Sequence, residues 1–200
     1  LPDEKFVNVD PTAGAGQFRG VGRVLALAAH SQIKTALRRK LDLLLRAEAD
    51  PELKKLARQL GLDDQIAPSP TIIVISSIAG GSGAGQFLEI SEMIKGLEPS
   101  QNWVHEIFNM LYAPDVFTEV DPELLAGNAL FAMAEVMSGI WSKPAAGTIR
   151  MTDRMGTAIP YGAPNYKTGA KYNFMIGKGG FSEQEDVYLA VASSLTSWMT

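Results

Sequence analysis

Four glycines fall within the six positions from Gly80 to Gly85, directly after a β-branched run at residues 71–75 and before a helical pattern that starts at Gln86. Glycine lets the backbone turn tightly, so that several N–H groups and the positive end of the following helix can face an anion. This order of strand, glycine loop and helix predicts a phosphate-binding site. The same glycines could instead serve only a tight turn and close strand-to-helix packing, and that structural interpretation stays open.

Two known phosphate-binding patterns do not fit this segment. Gly80 and Gly85 have the separation found in a P-loop, but Gln86 and Phe87 follow where Lys and Ser or Thr would be needed. The dinucleotide fingerprint fails as well, because a pattern that begins at Gly81 would place its third glycine at Gln86.

A serine hydrolase is the remaining catalytic alternative for the same turn. A nucleophile elbow around Ser82 has Gly80 on one side but Ala84 on the other, and a triad would have to recruit His30 or His105. A hydrolase or a dinucleotide enzyme is therefore kept only as a third interpretation.

A second glycine-rich segment lies nearer the amino terminus, with four glycines among residues 13–23. Apolar residues then recur at helical spacing from Val24 to Leu44, which predicts one long helix that begins at a glycine loop. Arg19 and Arg23 flank the start of this helix and could add positive charge at a phosphate, although solvated charges would look the same.

The elements that position these loops alternate between helix and strand. Asp50 and Pro51 start a short helix that Gly61 can stop, and further predicted elements follow along the chain. They are a strand at 71–76, a helix at 86–97, a strand at 103–111, a helix at 122–141, an extended excursion or hairpin at 142–170, a strand at 171–176 and a helix at 183–199. The pattern predicts an α/β fold, a Rossmann-like parallel sheet with helices on both faces.

Composition excludes several classes of function. The 200 residues include no cysteine and two histidines, which excludes disulfides, thiolate chemistry and a histidine-rich cluster, so no metal site built from side chains is predicted. A formal net charge of −4 argues against a nucleic-acid partner. No apolar run reaches the roughly 18 residues of a membrane helix, and the amino terminus shows no secretory signal, so a cytoplasmic protein is expected.

The run from Ala79 to Gly85 resembles the tubulin signature, a small residue followed by G-G-T-G-small-G, with Ser82 in place of Thr. Residues 14–23 resemble the loop with which tubulin and the bacterial division GTPase FtsZ sense the terminal phosphate. Residues 104–114 and 127–135 resemble the strand before the ribose-side loop and the tubulin helix that follows. As a whole the chain resembles the nucleotide-binding domain of bacterial tubulin-like proteins.

The resemblance implies a nucleotide site that holds GTP or GDP with Mg²⁺. The residues that it assigns to the α- and β-phosphates are Gly80, Gly81, Ser82, Gly83, Ala84 and Gly85. Those that it assigns to the terminal phosphate are Gly14, Ala15, Gly16 and Gln17. On the ribose side it implies Glu123 and Asn128, with Asp115, Glu119 and Asp121 in the same loop. The asparagine that meets guanine in tubulins would fall within 175–179, where Gly177 and Lys178 stand instead, so GTP and ATP both remain possible.

The resemblance further implies nucleotide hydrolysis coupled to head-to-tail self-assembly into a filament, with an acidic loop of the neighbouring subunit completing each site. We expect residues 1–200 to lack the family's first strand and phosphate loop, which would precede residue 1, and the acidic loop, which would follow Thr200. No catalytic residue is visible within the chain. The alternative is a tubulin-like scaffold or binding protein that does not hydrolyse its nucleotide. Residues 143–168 are a candidate contact for a protein partner.

Overall fold

The computed structural model describes residues 14–44, 49–62, 71–97, 107–118, 122–141, 151–159 and 169–199. The helices in these ranges are α1 (Arg19–Ala28), α2 (His30–Leu44), α3 (Ala49–Gln59), α4 (Gly81–Lys95), α5 (Pro122–Trp141) and α6 (Gln184–Met199). The strands are β1 (Ile72–Ser77), β2 (Ile107–Tyr112), β3 (Met151–Thr152), β4 (Ala158–Ile159) and β5 (Tyr172–Ile176), and a short 3-10 turn covers Pro114–Val116.

The main sheet is parallel, with the strand order β1-β2-β5. Ile72 pairs with Ile107 at the start of β1, and Phe108 pairs with Tyr172 at the start of the shared β2–β5 ladder. Because all three strands run the same way, their carboxyl ends meet at one edge of the sheet, which is where ligands bind in open α/β sheets. The predicted phosphate loop follows β1 at this edge.

Helices cover both faces of the sheet, as the sequence predicts. On one face, Ile94 of α4 packs in a cluster with Ile107 and the partly buried Ile72, while Phe87 packs in a second cluster with Leu111. On the other face the ring of Tyr188 from α6 lies edge-on to Tyr112 (5.0 Å between centroids), and Trp198 lies edge-on to Phe174 (6.2 Å). The Rossmann-like α/β prediction is therefore confirmed.

Most predicted elements appear with small changes at their ends, but the helix predicted at 86–97 begins five residues earlier, so Gly81–Gly85 form the first turns of α4 (Gly81–Lys95) and not a loop. The helix predicted at 122–141 has those bounds, Gly61 adopts a left-handed φ of +70° just after α3, and β5 covers all but the first residue of its prediction. Residues 103–106 of the second predicted strand lie outside the described residues. Of the excursion at 142–170, the described part includes the antiparallel β3–β4 hairpin within 151–159.

Helices α1 and α4 touch through their backbones. A Cβ atom added at Gly22 would lie 2.2 Å from the Gly81 carbonyl oxygen, and one added at Gly85 would lie 2.3 Å from the Arg19 carbonyl oxygen. Real Cβ atoms do not approach other atoms so closely, so only glycine allows this packing at both positions. The contact places the starts of α1 and α4 side by side.

The long helix predicted from Val24 to Leu44 is wrong in one respect, because the chain breaks at Ala29 into α1 and α2. The β3–β4 hairpin packs against this break. The Arg154 N–H donates to the Ala28 carbonyl oxygen (3.1 Å), and the Asp153 carboxylate accepts the Ser31 N–H (3.2 Å). The hairpin therefore satisfies backbone groups that a continuous helix would bond internally.

Asp153 connects the hairpin to the start of α2. Its carboxylate is almost fully buried and also accepts the N–H groups of Met155 (2.9 Å) and Thr157 (2.8 Å) within the hairpin turn. Hydrogen bonds from the Ser31 side chain, and then from the backbone of Thr157, Met155 and Ser31, outweigh desolvation and lower the pKa of Asp153 to about 2. The ionised carboxylate is thus the form that the fold stabilises.

We expect Asp153→Asn to lower the thermal unfolding midpoint near neutral pH, because an uncharged amide replaces an acceptor of several N–H bonds. The folded pKa is depressed to about 2, so the stabilisation is complete above the unfolded pKa of about 3.9 and is lost as the pH falls toward 2. Melting curves of both proteins between pH 7 and pH 2 should therefore converge at the acid end. The variant Asp42→Asn, which removes an exposed carboxylate from α2, should show no such difference.

Gly20 and Gly22 provide a matched pair on α1. A Cβ atom at Gly20 would meet nothing within 4 Å, so Gly20→Ala should stabilise the helix by about 0.5–1 kcal/mol. Gly22→Ala should destabilise the fold by about 1–3 kcal/mol, because the methyl group would press against the backbone at Gly81. Urea unfolding measures both changes, and equal effects of the two substitutions would contradict the close contact.

Candidate functional site

The amino terminus of α4 is open at the carboxyl edge of the sheet. Gly80 is its N-cap residue, with extended backbone (φ −89°, ψ 163°) and no side chain that caps the helix. A Cβ atom at Gly80 would meet nothing within 4 Å, and Ser82 in the first turn is exposed. Apart from the Gly81 N–H, which has a partner in the protein, a helix start without a side-chain cap presents first-turn N–H groups and a partial positive charge, the features that bind phosphate.

The glycine loop before α1 lies against this helix start. The Gly81 N–H donates to the Gly16 carbonyl oxygen (2.8 Å), and the Ala15 N–H donates to the Ser82 hydroxyl oxygen (3.3 Å). Gly14 and Gly16 have φ values of +90° and +52°, which L-residues with a side chain rarely adopt. The structure thus brings together the two segments that the sequence assigns to phosphates, although they lie more than 60 residues apart.

The sequence left open whether the glycines of residues 80–85 serve close packing or phosphate binding, and the structure gives different answers at different positions. Added Cβ atoms would lie 2.6 Å from the Phe18 nitrogen at Gly81 and 2.2 Å from the Ser77 carbonyl oxygen at Gly83. Close packing is therefore sufficient to explain why glycine occurs at Gly81, at Gly83 and, in the helix contact, at Gly85. Gly80 has no such packing requirement. Phosphate contact by any of them stays a prediction.

Asn128 lies at the junction of the two loops, although the sequence assigns it to the ribose side. Its side-chain nitrogen donates to the Gln17 carbonyl oxygen (2.9 Å) and to the Ala79 carbonyl oxygen (2.9 Å). Glu123, the other predicted ribose-side residue, is exposed in the first turn of α5.

Arg19 and Arg23 form ion pairs inside the protein. Arg19 binds Glu135 and also donates to the Ala84 carbonyl oxygen (3.1 Å), while Arg23 binds Glu89 (2.9 Å) and Glu135 (2.7 Å). Both guanidinium groups therefore tie α1 to α4 and α5 just behind the loops. Their predicted role as phosphate charges stays a prediction.

The predicted ribose-side and base-side segments also meet. The Asp115 carboxylate, in the turn after β2, accepts the Lys178 N–H after β5 (2.9 Å). A Cβ atom at Gly177 would lie 3.1 Å from the same carboxylate, so glycine lets the two segments approach. Glu119, Asp121 and His105 lie outside the described residues.

Gln17 carries a buried side-chain oxygen that has no hydrogen-bond partner among the described residues. Buried polar atoms are nearly always satisfied in folded proteins, so this acceptor is a candidate to meet a water, a cation or a ligand at the loop. Among the described residues, no cluster of three or more histidines and carboxylates could hold a metal ion by itself.

Sequence reasoning missed Glu135 and Glu89. Glu135 lies seven positions after Asn128, which puts both side chains on one face of α5. Arg19 and Arg23 lie four positions apart and share a face of α1, so opposite charges on neighbouring helices were a signal for this network.

A comparison with known protein families gives one match, to a family described as "Tubulin like", over residues 1–198. The curated proteins and the solved structures give no match. Within the part of the chain that the structure describes, none of the helices has the length and apolar character needed to cross a membrane. Because the match covers nearly the whole sequence, and the two glycine loops meet at the carboxyl edge of a parallel sheet, the chain belongs to the tubulin-like family.

Proposed function

We propose that this protein binds a nucleoside triphosphate, GTP in preference to ATP, and hydrolyses it in a cycle of head-to-tail self-assembly into filaments. The observation that carries the proposal is the start of α4, which has no side-chain cap, free space at the Gly80 Cβ position and an exposed Ser82 beside the loop from Gly14 to Gln17. Family membership supports self-association and nucleotide binding as the shared activities.

Backbone amides at the start of α4 would hold the α- and β-phosphates, and the Gly14–Gln17 loop would approach the terminal phosphate. Such a site suits a chain of net charge −4, because the helix start attracts an anion without a lysine. Arg19 and Arg23 bind glutamates, and their additional role as phosphate charges stays a prediction.

Magnesium fits this site as a partner of the phosphates. The Ser82 hydroxyl and the unpaired side-chain oxygen of Gln17 are the candidate protein ligands, in keeping with the preference of Mg²⁺ for oxygen ligands and few protein contacts. When bound, Mg²⁺ neutralises charge on the phosphates. The chain's own loops orient the nucleotide.

The ion pairs of Glu89 and Glu135 favour completion of the active site by a second subunit. Glu89 and Glu135 both bind arginines, so each is engaged in holding helices together. A water-orienting group would then come from the neighbouring copy during assembly. A scaffold that binds nucleotide without hydrolysis is the alternative consistent with the same ion pairs.

A combined assay separates these possibilities. The full-length protein is incubated with labelled GTP or ATP and Mg²⁺, and binding, phosphate release and sedimentation are measured on the same samples. We expect tighter binding of GTP, with phosphate release that rises with protein concentration as pelleted polymer forms. Binding without turnover in the pelleted fraction would favour the scaffold, and the absence of binding would contradict the proposal.

Gly80 offers a test that leaves the fold intact. Asp and Asn are both good N-cap residues that differ from Gly by only a few tenths of a kcal/mol, and the backbone at Gly80 accepts either. Gly80→Asp should lower GTP affinity by about tenfold or more, because its carboxylate repels the phosphates. Isothermal titration calorimetry measures the affinity, and thermal melting checks the fold.

Gly80→Asn is the matched control, since it adds the same bulk and a similar cap without charge. Equal loss of affinity in the two variants would point to bulk or to occupation of the first-turn N–H groups by the new cap, and not to charge. Unchanged affinity in Gly80→Asp would remove the α4 start from the phosphate site. Substitutions at Gly81 or Gly83 would not serve, because a Cβ atom there collides with backbone.

A further inference from the structure

The side chain of Asn128 holds the two glycine loops at a fixed separation. Its side-chain nitrogen donates one hydrogen bond to the Gln17 carbonyl oxygen and one to the Ala79 carbonyl oxygen, both at 2.9 Å. Gln17 belongs to the terminal-phosphate loop, and Ala79 directly precedes the loop for the α- and β-phosphates. A single planar amide therefore sets the distance between the two halves of the site.

Only an amide can do this with a side chain of that length. Both partners are carbonyl oxygens, so the group that faces them must donate twice, which fixes the orientation of the amide. A carboxylate of the same shape would place oxygens against oxygens, and alanine would leave both carbonyls without this donor. Because its two N–H bonds are used within the protein, Asn128 keeps only its oxygen for any other contact.

The helix that carries Asn128 is itself fixed to both loop-bearing helices. Glu135, two turns later on α5, binds Arg19 and Arg23 of α1. Ala132 and Val136 are buried in the core cluster that contains Phe87 of α4. Helix α5 therefore holds the Asn128 amide in place. Because both loops are bonded to this one amide, neither loop can move relative to the other without breaking a hydrogen bond.

We infer that Asn128 is a positioning residue that makes the two phosphate loops act as one site for a triphosphate. This inference rests on the proposed function. We call the two hydrogen bonds from Asn128 to Gln17 and Ala79 the clamp. A diphosphate that contacts only the start of α4 depends little on the clamp. A triphosphate also contacts the Gly14–Gln17 loop and depends on the correct separation of the two segments. Asn128 thus contributes to recognition of the terminal phosphate without touching it.

Asn128→Ala and Asn128→Asp test the inference. Loss of one polar partner commonly weakens binding by about tenfold, so GTP affinity should fall by about tenfold or more, while GDP affinity falls by less than about threefold. Inorganic tripolyphosphate and pyrophosphate should repeat this difference without a base or ribose. Asn128→Asp should be the more severe variant.

Asn173→Ala is the control for a general loss of stability. Asn173 is another internally bonded amide, which accepts from Asn109 (2.7 Å) and donates to the Ala170 carbonyl oxygen (3.2 Å) away from the loops. Asn173→Ala should reduce the stability of the fold, and any change in affinity should be by the same factor for GTP and for GDP. A selective loss of GTP affinity in this control would overturn the assignment to Asn128.

Hydrogen exchange without any ligand provides an independent readout. Asn128→Ala should speed amide exchange within residues 14–18 and 79–82, and Asn173→Ala should not. Unchanged exchange would overturn the clamp. If Asn128→Ala instead removes a preference for GTP over its 2′-deoxy form and leaves the GTP and GDP affinities otherwise unchanged, the residue contacts ribose and the inference is wrong.

The same experiment distinguishes this inference from the proposed function. If the wild-type protein binds neither nucleotide nor polyphosphate, the proposed function fails and with it the role in triphosphate recognition. Faster exchange of both loops in Asn128→Ala would still establish the clamp as a structural device of the fold.

Discussion

The site depends on the direct contact between the backbones of α1 and α4. Side chains normally hold helix axes 8–10 Å apart, whereas Gly22, Gly81 and Gly85 let these two helices meet backbone to backbone. Each helix begins at one of the glycine loops, so the contact places both loops at one point on the sheet edge. The bond from the Gly81 N–H to the Gly16 carbonyl oxygen forms at that point. Any side chain at this contact would move one half of the site away from the other.

The use of charge follows from the same arrangement. Arg19 and Arg23 lie close behind the loops but bind Glu135 and Glu89, so the positive charge there is largely neutralised within the protein. Partly buried charges of this kind need such partners, because an unpaired charge would carry a large desolvation penalty. In the proposed function, attraction for an anion would therefore come largely from backbone dipoles, whose direction is fixed by the fold and does not change with pH.

The sequence was sufficient for local features and for their order. Buried strands, helix spans such as Pro122–Trp141 and the stop at Gly61 follow from periodicity and glycine chemistry. The position of the glycine-rich segment after a strand was also predicted, but Gly81–Gly85 form the start of α4 and not the expected loop. The sequence could not show which glycines face a neighbouring backbone, because that depends on the packing of distant segments. The break at Ala29 was missed for a similar reason, since the hairpin that packs against it lies more than 120 residues later.

The bonds of Asn128 also constrain the order in which the molecule can assemble. They join residues that are 111 and 49 positions apart in the chain, so both loops lack their shared amide until α5 has been synthesised and packed. Closing such long loops has an entropic cost that must be met before the contacts contribute, so we expect this to be a late step in folding. A growing chain that ends before α5 would contain both glycine segments and yet lack a finished site. If the proposed function holds, nucleotide binding must wait for completion of the domain.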